Sequence, residues 1–196
     1  MTDRRTFAKN ALRTLFAVGA LAAVAGSTGC TRWTIVRQAA PSPLNAASKF
    51  VLEPMHWENT SVGGKPEAQY FADKEPAQQQ SYATDKVEAT GLFVTNLKSH
   101  AGSVQWTTAD PQAFIVRPIV EHWEPGFYAV VARQNARMDL RLQILTPQGQ
   151  VVDEITVWST AQATVTSPSS GQRMRMCGED LGGVVGNYLS SRLGGG

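Results

Sequence analysis

The sequence predicts an α+β fold, a two-layer sandwich with helices on one face of a mainly antiparallel sheet, in the order β-α-β-β-β-α. Three observations carry this. "ARMDLRLQIL", residues 136–145, alternates Ala136, Met138, Leu140, Leu142 and Ile144 with Arg137, Asp139, Arg141 and Gln143. That period of two is the pattern of a half-buried strand. Residues 81–98 repeat at three- and four-residue steps through Ala83, Val87, Thr90, Val94 and Leu97, as a helix does. Leu181, Val184, Val185, Tyr188, Leu189 and Leu193 are spaced as one face of a second, closing helix.

The elements follow in order. "KFVLEP", residues 49–54, is a compact apolar run stopped by a proline and reads as the first strand. Residues 58–80 are rich in Gly, Pro, Gln and charge and read as a loop. The helix over 81–98 carries Leu92 and Phe93 on a widened apolar face, and Gly91 weakens it by up to about 1 kcal/mol relative to alanine. "AFIVRPIVEHW", residues 113–123, is rich in β-branched and aromatic residues, but Pro118 has no N–H to give a ladder. This predicts an edge or bulged strand. "TPQGQ", residues 146–150, supplies a hairpin turn, and residues 151–165 return as the antiparallel partner of 136–145. "SPSSGQ", residues 167–172, is a further loop, and the glycines at 182, 183 and 186 allow the last helix to approach the sheet closely. "GGG" at 194–196 is a tail.

The first 29 residues read as an export signal rather than as structure. Arg4, Arg5, Lys9 and Arg13 make a basic region with only Asp3 against them, and "LFAVGALAAVA" then runs apolar from Leu15 to Ala25. Crossing a bilayer takes about 20 apolar residues, so a run this short is a signal core and not a span. Arg4-Arg5-Thr6-Phe7-Ala8-Lys9 is similar to the twin-arginine export motif, carried by Arg4, Arg5, Phe7 and Lys9. It departs from the usual pattern at Asp3 and Ala8; the other reading is an ordinary secretory signal with two arginines. "STGC" places small residues before Cys30 at the end of the apolar run and resembles a bacterial lipobox, with Ser27 where leucine is usual. This implies acylation of Cys30. Thr31 in place of aspartate implies an outer-membrane anchor with the body facing the periplasm. Residues 30–48, with Pro41 and Pro43, are expected to form a tether, and 49–193 a single globular domain.

Removing the signal changes the charge. The chain has 18 basic and 16 acidic residues; its first 29 hold four and one, which leaves 14 against 15, a net −1. With no long basic run in the body, nucleic acid is not an expected partner. Acylation of Cys30 would leave Cys177 alone, so no intrachain disulfide is expected.

"FVLEP", "EPGFYAVVARQNARMDLRLQILTPQGQVVDEITV" and "EDLGGVVGNYLSSRL" together resemble small bacterial envelope lipoproteins. That loose superfamily includes curli-secretion lipoproteins, the N-terminal domain of the Tol–Pal translocation protein and lipoprotein activators of penicillin-binding proteins. The resemblance implies a non-enzymatic accessory or assembly protein that binds another envelope protein or a peptidoglycan-associated complex. The shared pattern is a strand–turn–strand shape and not a catalytic signature.

The residues themselves offer little catalytic chemistry. His56, His100 and His122 have no ligand spacing. Met174, Met176 and Cys177 in "MRMC" are a soft-ligand set that suits Cu(I), the basis of an alternative reading as an exported enzyme or metal carrier. Packing at the helix start is the better explanation of them, and a first-turn Cys177 would have its thiolate favoured by the helix dipole. Trp57, Trp106, Trp123 and Trp158 would make a glycan-binding surface if they converged. No cofactor is expected. The expected partner surface is the edge of residues 113–123, with Ile119, Glu121 and Trp123 facing a strand added by the partner.

Overall fold

In the computed structural model, which describes residues 32–129 and 131–194, the alternating segment is a strand with one buried face. Ala136, Met138, Leu140, Leu142 and Ile144 are each at most 1% exposed, while Arg137, Asp139, Arg141 and Gln143 point away. Burying a side chain of leucine size contributes roughly 1.5–3 kcal/mol, so this stripe organises the core.

The elements in chain order are β1 (Trp33–Gln38), β2 (Lys49–Leu52), β3 (Ser61–Val62), β4 (Lys65–Pro66), α1 (Glu67–Phe71), α2 (Pro76–His100), β5 (Gln105–Trp106), β6 (Phe114–Glu124), β7 (Phe127–Ala129), β8 (Ala132–Gln134), β9 (Ala136–Leu145), β10 (Val151–Ala161) and α3 (Ser170–Leu193). The main sheet runs β1-β10-β9-β6-β2-β5, and the short β3–β4 hairpin joins it through β6. α2 and α3 pack on each other and cover one face, which makes the α+β two-layer arrangement. The β9–β10 hairpin turns as expected: Gly149 takes a positive φ of 81° and its N–H donates to the Thr146 carbonyl.

Several expectations need correction. The long strands β1, β10, β9 and β6 pair antiparallel as expected, and the parallel pairs are short additions: β2 lies parallel to both β5 and β6, because α2 carries the chain across between them. Residues 58–80 hold β3, β4, α1 and the first turn of α2, started by Pro76 and by a reciprocal capping pair between Glu75 and Gln78. The phase of α2 is shifted as well: its buried line is Ala89, Phe93 and Leu97, and Val87 is exposed.

The strand over 113–123 is not an edge. β6 pairs with β9 on one side and with β2, His56 and β3 in turn on the other. The Pro118 carbonyl accepts from the His56 N–H at 2.9 Å, so the nitrogen of Pro118 faces the seam where β2 has ended and Pro54 follows. The missing donor therefore falls where no ladder continues. A bulge between Val120 and His122 returns Trp123 to the core side, where it is 1% exposed.

The glycines of α3 face α2 rather than the sheet. A Cβ on Gly178, Gly182 or Gly186 would meet the carbonyl oxygens of Ala89, Phe93 and Leu97 at 2.5, 2.3 and 2.6 Å. The two helices thus run parallel with their backbones in contact. Gly183 alone has room, near the His100 ring.

Candidate functional site

The chain enters the described fold at Arg32. Its Nη1 donates to Asp180 Oδ1 at 2.7 Å, Nη2 donates to Oδ2, and Ser159 Oγ donates to the same carboxylate at 2.6 Å. The Arg32 guanidinium, helped by Ser159, holds the Asp180 carboxyl below the usual aspartate range. One residue on, the Trp33 ring meets Tyr188 edge-to-face at 5.5 Å.

The other end of β1 is held by a buried ion pair. Asp153, on β10, is 1% exposed and accepts from the Ala39 N–H at 3.1 Å, Tyr188 Oη at 3.0 Å and Arg192 Nε at 2.6 Å. Arg192 also donates to Ser42 Oγ at 3.1 Å. Burial and the Asp153 charge push the Tyr188 phenol well above its ordinary range. A buried carboxylate with this many donors is satisfied, so the clamp fixes where the chain leaves the sheet.

Residues 33–38 are therefore not a tether. The reason is readable in the side chains: Trp33 finds a core partner, and the backbone of residues 33–38 completes the free side of β10. Pro41 and Pro43 do lie outside regular structure. β1 pairs only with β10 among the described strands, so its outer backbone is an open edge of six residues. Ile35 and Val36, 50% and 54% exposed, stand on it, with a register shift at Val36. The opposite edge, β5, is two residues long.

The uncovered face of the sheet is a lattice of paired charge. Arg117 binds Glu53 bidentately at 2.6 and 3.0 Å, Arg141 bridges Glu121 and Glu154, and Gln143 donates to Glu154 at 2.8 Å. His56 sits between Glu53 and Glu58 at 3.2 Å from each. Arg117 and His56 hold the Glu53 carboxyl below its usual range.

Each site residue expected from the sequence can now be placed. Cys30, Arg4, Arg5, Phe7 and Lys9 lie outside the described residues. Ile119 and Glu121 are half-buried on the charged face, Trp123 is in the core, and none lies on a free edge. Met174, Met176 and Cys177 do not converge: Met174 and Cys177 are buried, while Met176 is exposed. Cys177 lies two turns into α3, beyond the reach of the helix terminus, and burial pushes its thiol up to about 11. No group of three or more His, Cys, Asp or Glu side chains suited to a metal occurs among the described residues. The tryptophans do not share a surface either: Trp123 is core, Trp57 and Trp106 are half-buried, and Trp158 is exposed under Arg137.

Sequence reasoning missed β1 and the residues that hold it. The β-rich "WTIV" was the available signal, overridden by the prolines that follow. It also missed Arg173, 1% exposed, whose guanidinium donates to the carbonyls of Ser167 and Pro168 at 2.8 Å each and of Pro125 at 3.0 Å. This clamp ties the start of α3 to the base of the β7–β8 hairpin. No helix of the described residues is long and apolar enough to cross a membrane.

No family model matches the chain, and no curated protein matches it in sequence. Among solved structures it is similar to the PelC dodecamer from Paraburkholderia phytofirmans, at 11% identity over 78% of this chain and 95% of that one, with a TM-score of 0.44. It is similar to the hypothetical protein CT253 from Chlamydia trachomatis at 9% identity over 74% and 99%, also with a TM-score of 0.44.

Proposed function

We propose that this chain is a lipid-anchored protein of the bacterial cell envelope, exported by the signal in residues 1–29 and acylated on Cys30. It belongs in this reading with the envelope lipoproteins its sequence resembles, stands on the periplasmic side of the outer membrane, and acts by binding rather than by catalysis. Its partner is another envelope protein that adds an extended segment to β1. The observation that carries the reading is β1 itself: a six-residue open edge that begins three residues after Cys30 and is pinned at both ends. A partner strand there gains main-chain hydrogen bonds without any rearrangement of the sheet. Ile35 and Val36 add apolar contact.

The test has two arms. Cys30→Ala should release the protein from the membrane fraction, and mass spectrometry of the wild type should find acyl chains on Cys30. A photo-crosslinking side chain at Val36 should capture an envelope protein in intact cells, and the same group at Ile119 should not. Equal capture at both positions would remove β1 as the recognition edge.

A further inference from the structure

We infer that the end of the domain carrying the β7–β8 hairpin and the β10–α3 loop lies against the phospholipid surface, with Val131 and Val165 dipping into it. This rests on acylation of Cys30 as proposed above.

The strand register defines that end. β10 finishes at Ala161 opposite Ala136, where β9 starts, and β6 finishes at Glu124 opposite Arg137. β7–β8 projects between those two strands, and the loop over 162–169 leaves β10 at the same level. β1 enters from this side too: Trp33 pairs with Val157, and Arg32 is fixed to Asp180 beside Ser159. Arg32 is two residues on from Cys30, a reach of about 7 Å. An acyl chain on Cys30 therefore brings this end of the domain to the bilayer and not the other.

The exposed apolar side chains agree. Of the large exposed hydrophobics among the described residues, Phe127, Val131 and Val165 stand on the hairpin and loop at this end, with Trp158 three residues before the end of β10 and Met176 in the second turn of α3; Val87 on α2 is level with Met176, and Ile35 and Val36 lie on β1. Val131 at the hairpin tip is 95% exposed, and Val165 at the loop tip is 76% exposed. Isolated apolar side chains on a protein surface are ordinary, but these stand on separate tips around one point of attachment. Met176 lies one helical turn before Asp180, on the face that receives Arg32.

The tips are also rigidly presented. Arg173 bonds the Pro125 carbonyl at the hairpin base and the Ser167 and Pro168 carbonyls at the loop base. Gly126 makes the hairpin bend at a φ of 60°, where a Cβ would stand 2.3 Å from the Gln134 carbonyl oxygen. Exposed Arg133, on β8, adds positive charge beside the tips, which suits an anionic lipid surface, while Arg137 is paired with Asp139 at 2.7 Å.

The experiment uses the mature, acylated protein in vesicles of phosphatidylethanolamine and phosphatidylglycerol. Val131→Cys, Val165→Cys and, at the far turn of β9–β10, Gln148→Cys each supply one accessible thiol for an environment-sensitive NBD label, since Cys177 is buried. The labels at 131 and 165 should shift to the blue on reconstitution and lose intensity when doxyl-lipid is included; the label at 148 should do neither. Aqueous emission at 131 and 165 on protein whose Cys30 is shown by mass spectrometry to be acylated overturns this inference and leaves the anchor standing. Absence of acyl chains from Cys30 overturns the anchor and this inference with it. Shielded labels on lipid-free Cys30→Ala protein of doubled mass assign the tips to a second copy of the chain, which also overturns it.

Discussion

A Cβ atom on Gly182 would stand 2.3 Å from the main-chain carbonyl oxygen of Phe93. The same contact recurs one turn earlier and one turn later, at Gly178 with Ala89 and at Gly186 with Leu97. Three absent side chains let two parallel helices touch backbone to backbone. That closeness lets the pair cover one face of the sheet, with α3 lying over β9 and β10.

Filling the seam should therefore be costly. Gly182→Ala meets a carbonyl oxygen that belongs to a helix and cannot swing aside, and overpacking of this kind costs about 1–3 kcal/mol or more. Gly91→Ala is the control: nothing lies within 4 Å of its added Cβ. It should gain roughly 0.5–1 kcal/mol from helix propensity. Urea denaturation of the two variants should show midpoints displaced in opposite directions. Stabilisation of both would mean the helices separate freely.

The position of β6 makes its own forecast. Leu140→Ala should lose about 2–5 kcal/mol and Trp123→Ala about 3–5 kcal/mol, against the 5–15 kcal/mol a domain typically has. Ile119→Lys, on the face lined by Arg117 and Glu121, keeps its charge in water and should cost less than either. Thermal melting ranks the three. A Trp123→Ala variant as mild as Ile119→Lys would return β6 to the edge of the sheet.

The attachment of β1 should depend on pH. Arg32 holds the Asp180 carboxyl below its unfolded value. Its contribution is thus complete above the ordinary aspartate range and is lost as pH falls through the depressed folded value. Half-exposed pairs of this kind are worth about 1 kcal/mol or less, so amide exchange over residues 33–35 should quicken by no more than about fivefold, after correction for intrinsic rates. Asp180→Asn should show the faster exchange already at neutral pH and lose the pH dependence. Unchanged exchange in that variant would assign the hold on β1 to Trp33 and Asp153 alone.

Cys177 should behave as a buried, protonated thiol. Its pKa rises from 9.0 to about 11, chiefly because burial disfavours the thiolate. The folded state binds the proton more tightly, so stability from this group is present below about pH 9 and falls away as pH rises from there to about 11. In Cys30→Ala protein, iodoacetamide at pH 8 should leave Cys177 unmodified until denaturant is added. Rapid alkylation of the native protein would show that the start of α3 opens.

How much of this was legible in the chain depends on which force wrote the pattern. Burial writes a period into side chains, so the half-buried strand at Ala136–Leu145, its Gly149 turn and both long helices could be read directly. Pairing between strands is made by backbone groups that every residue shares, and it leaves almost no mark. Pro118 suggested an edge, and only the fold shows that its missing N–H falls at the seam where β2 stops. Trp33–Gln38 reads as tether because Pro41 and Pro43 follow it, and becomes a strand because β10 offers a free side and Tyr188 a ring to pack on. Gly182 and Gly186 announced close approach, but not to what. That was decided by the parallel course of α2 and α3, because a glycine specifies only that a neighbour comes near, and the neighbour is chosen by the rest of the chain.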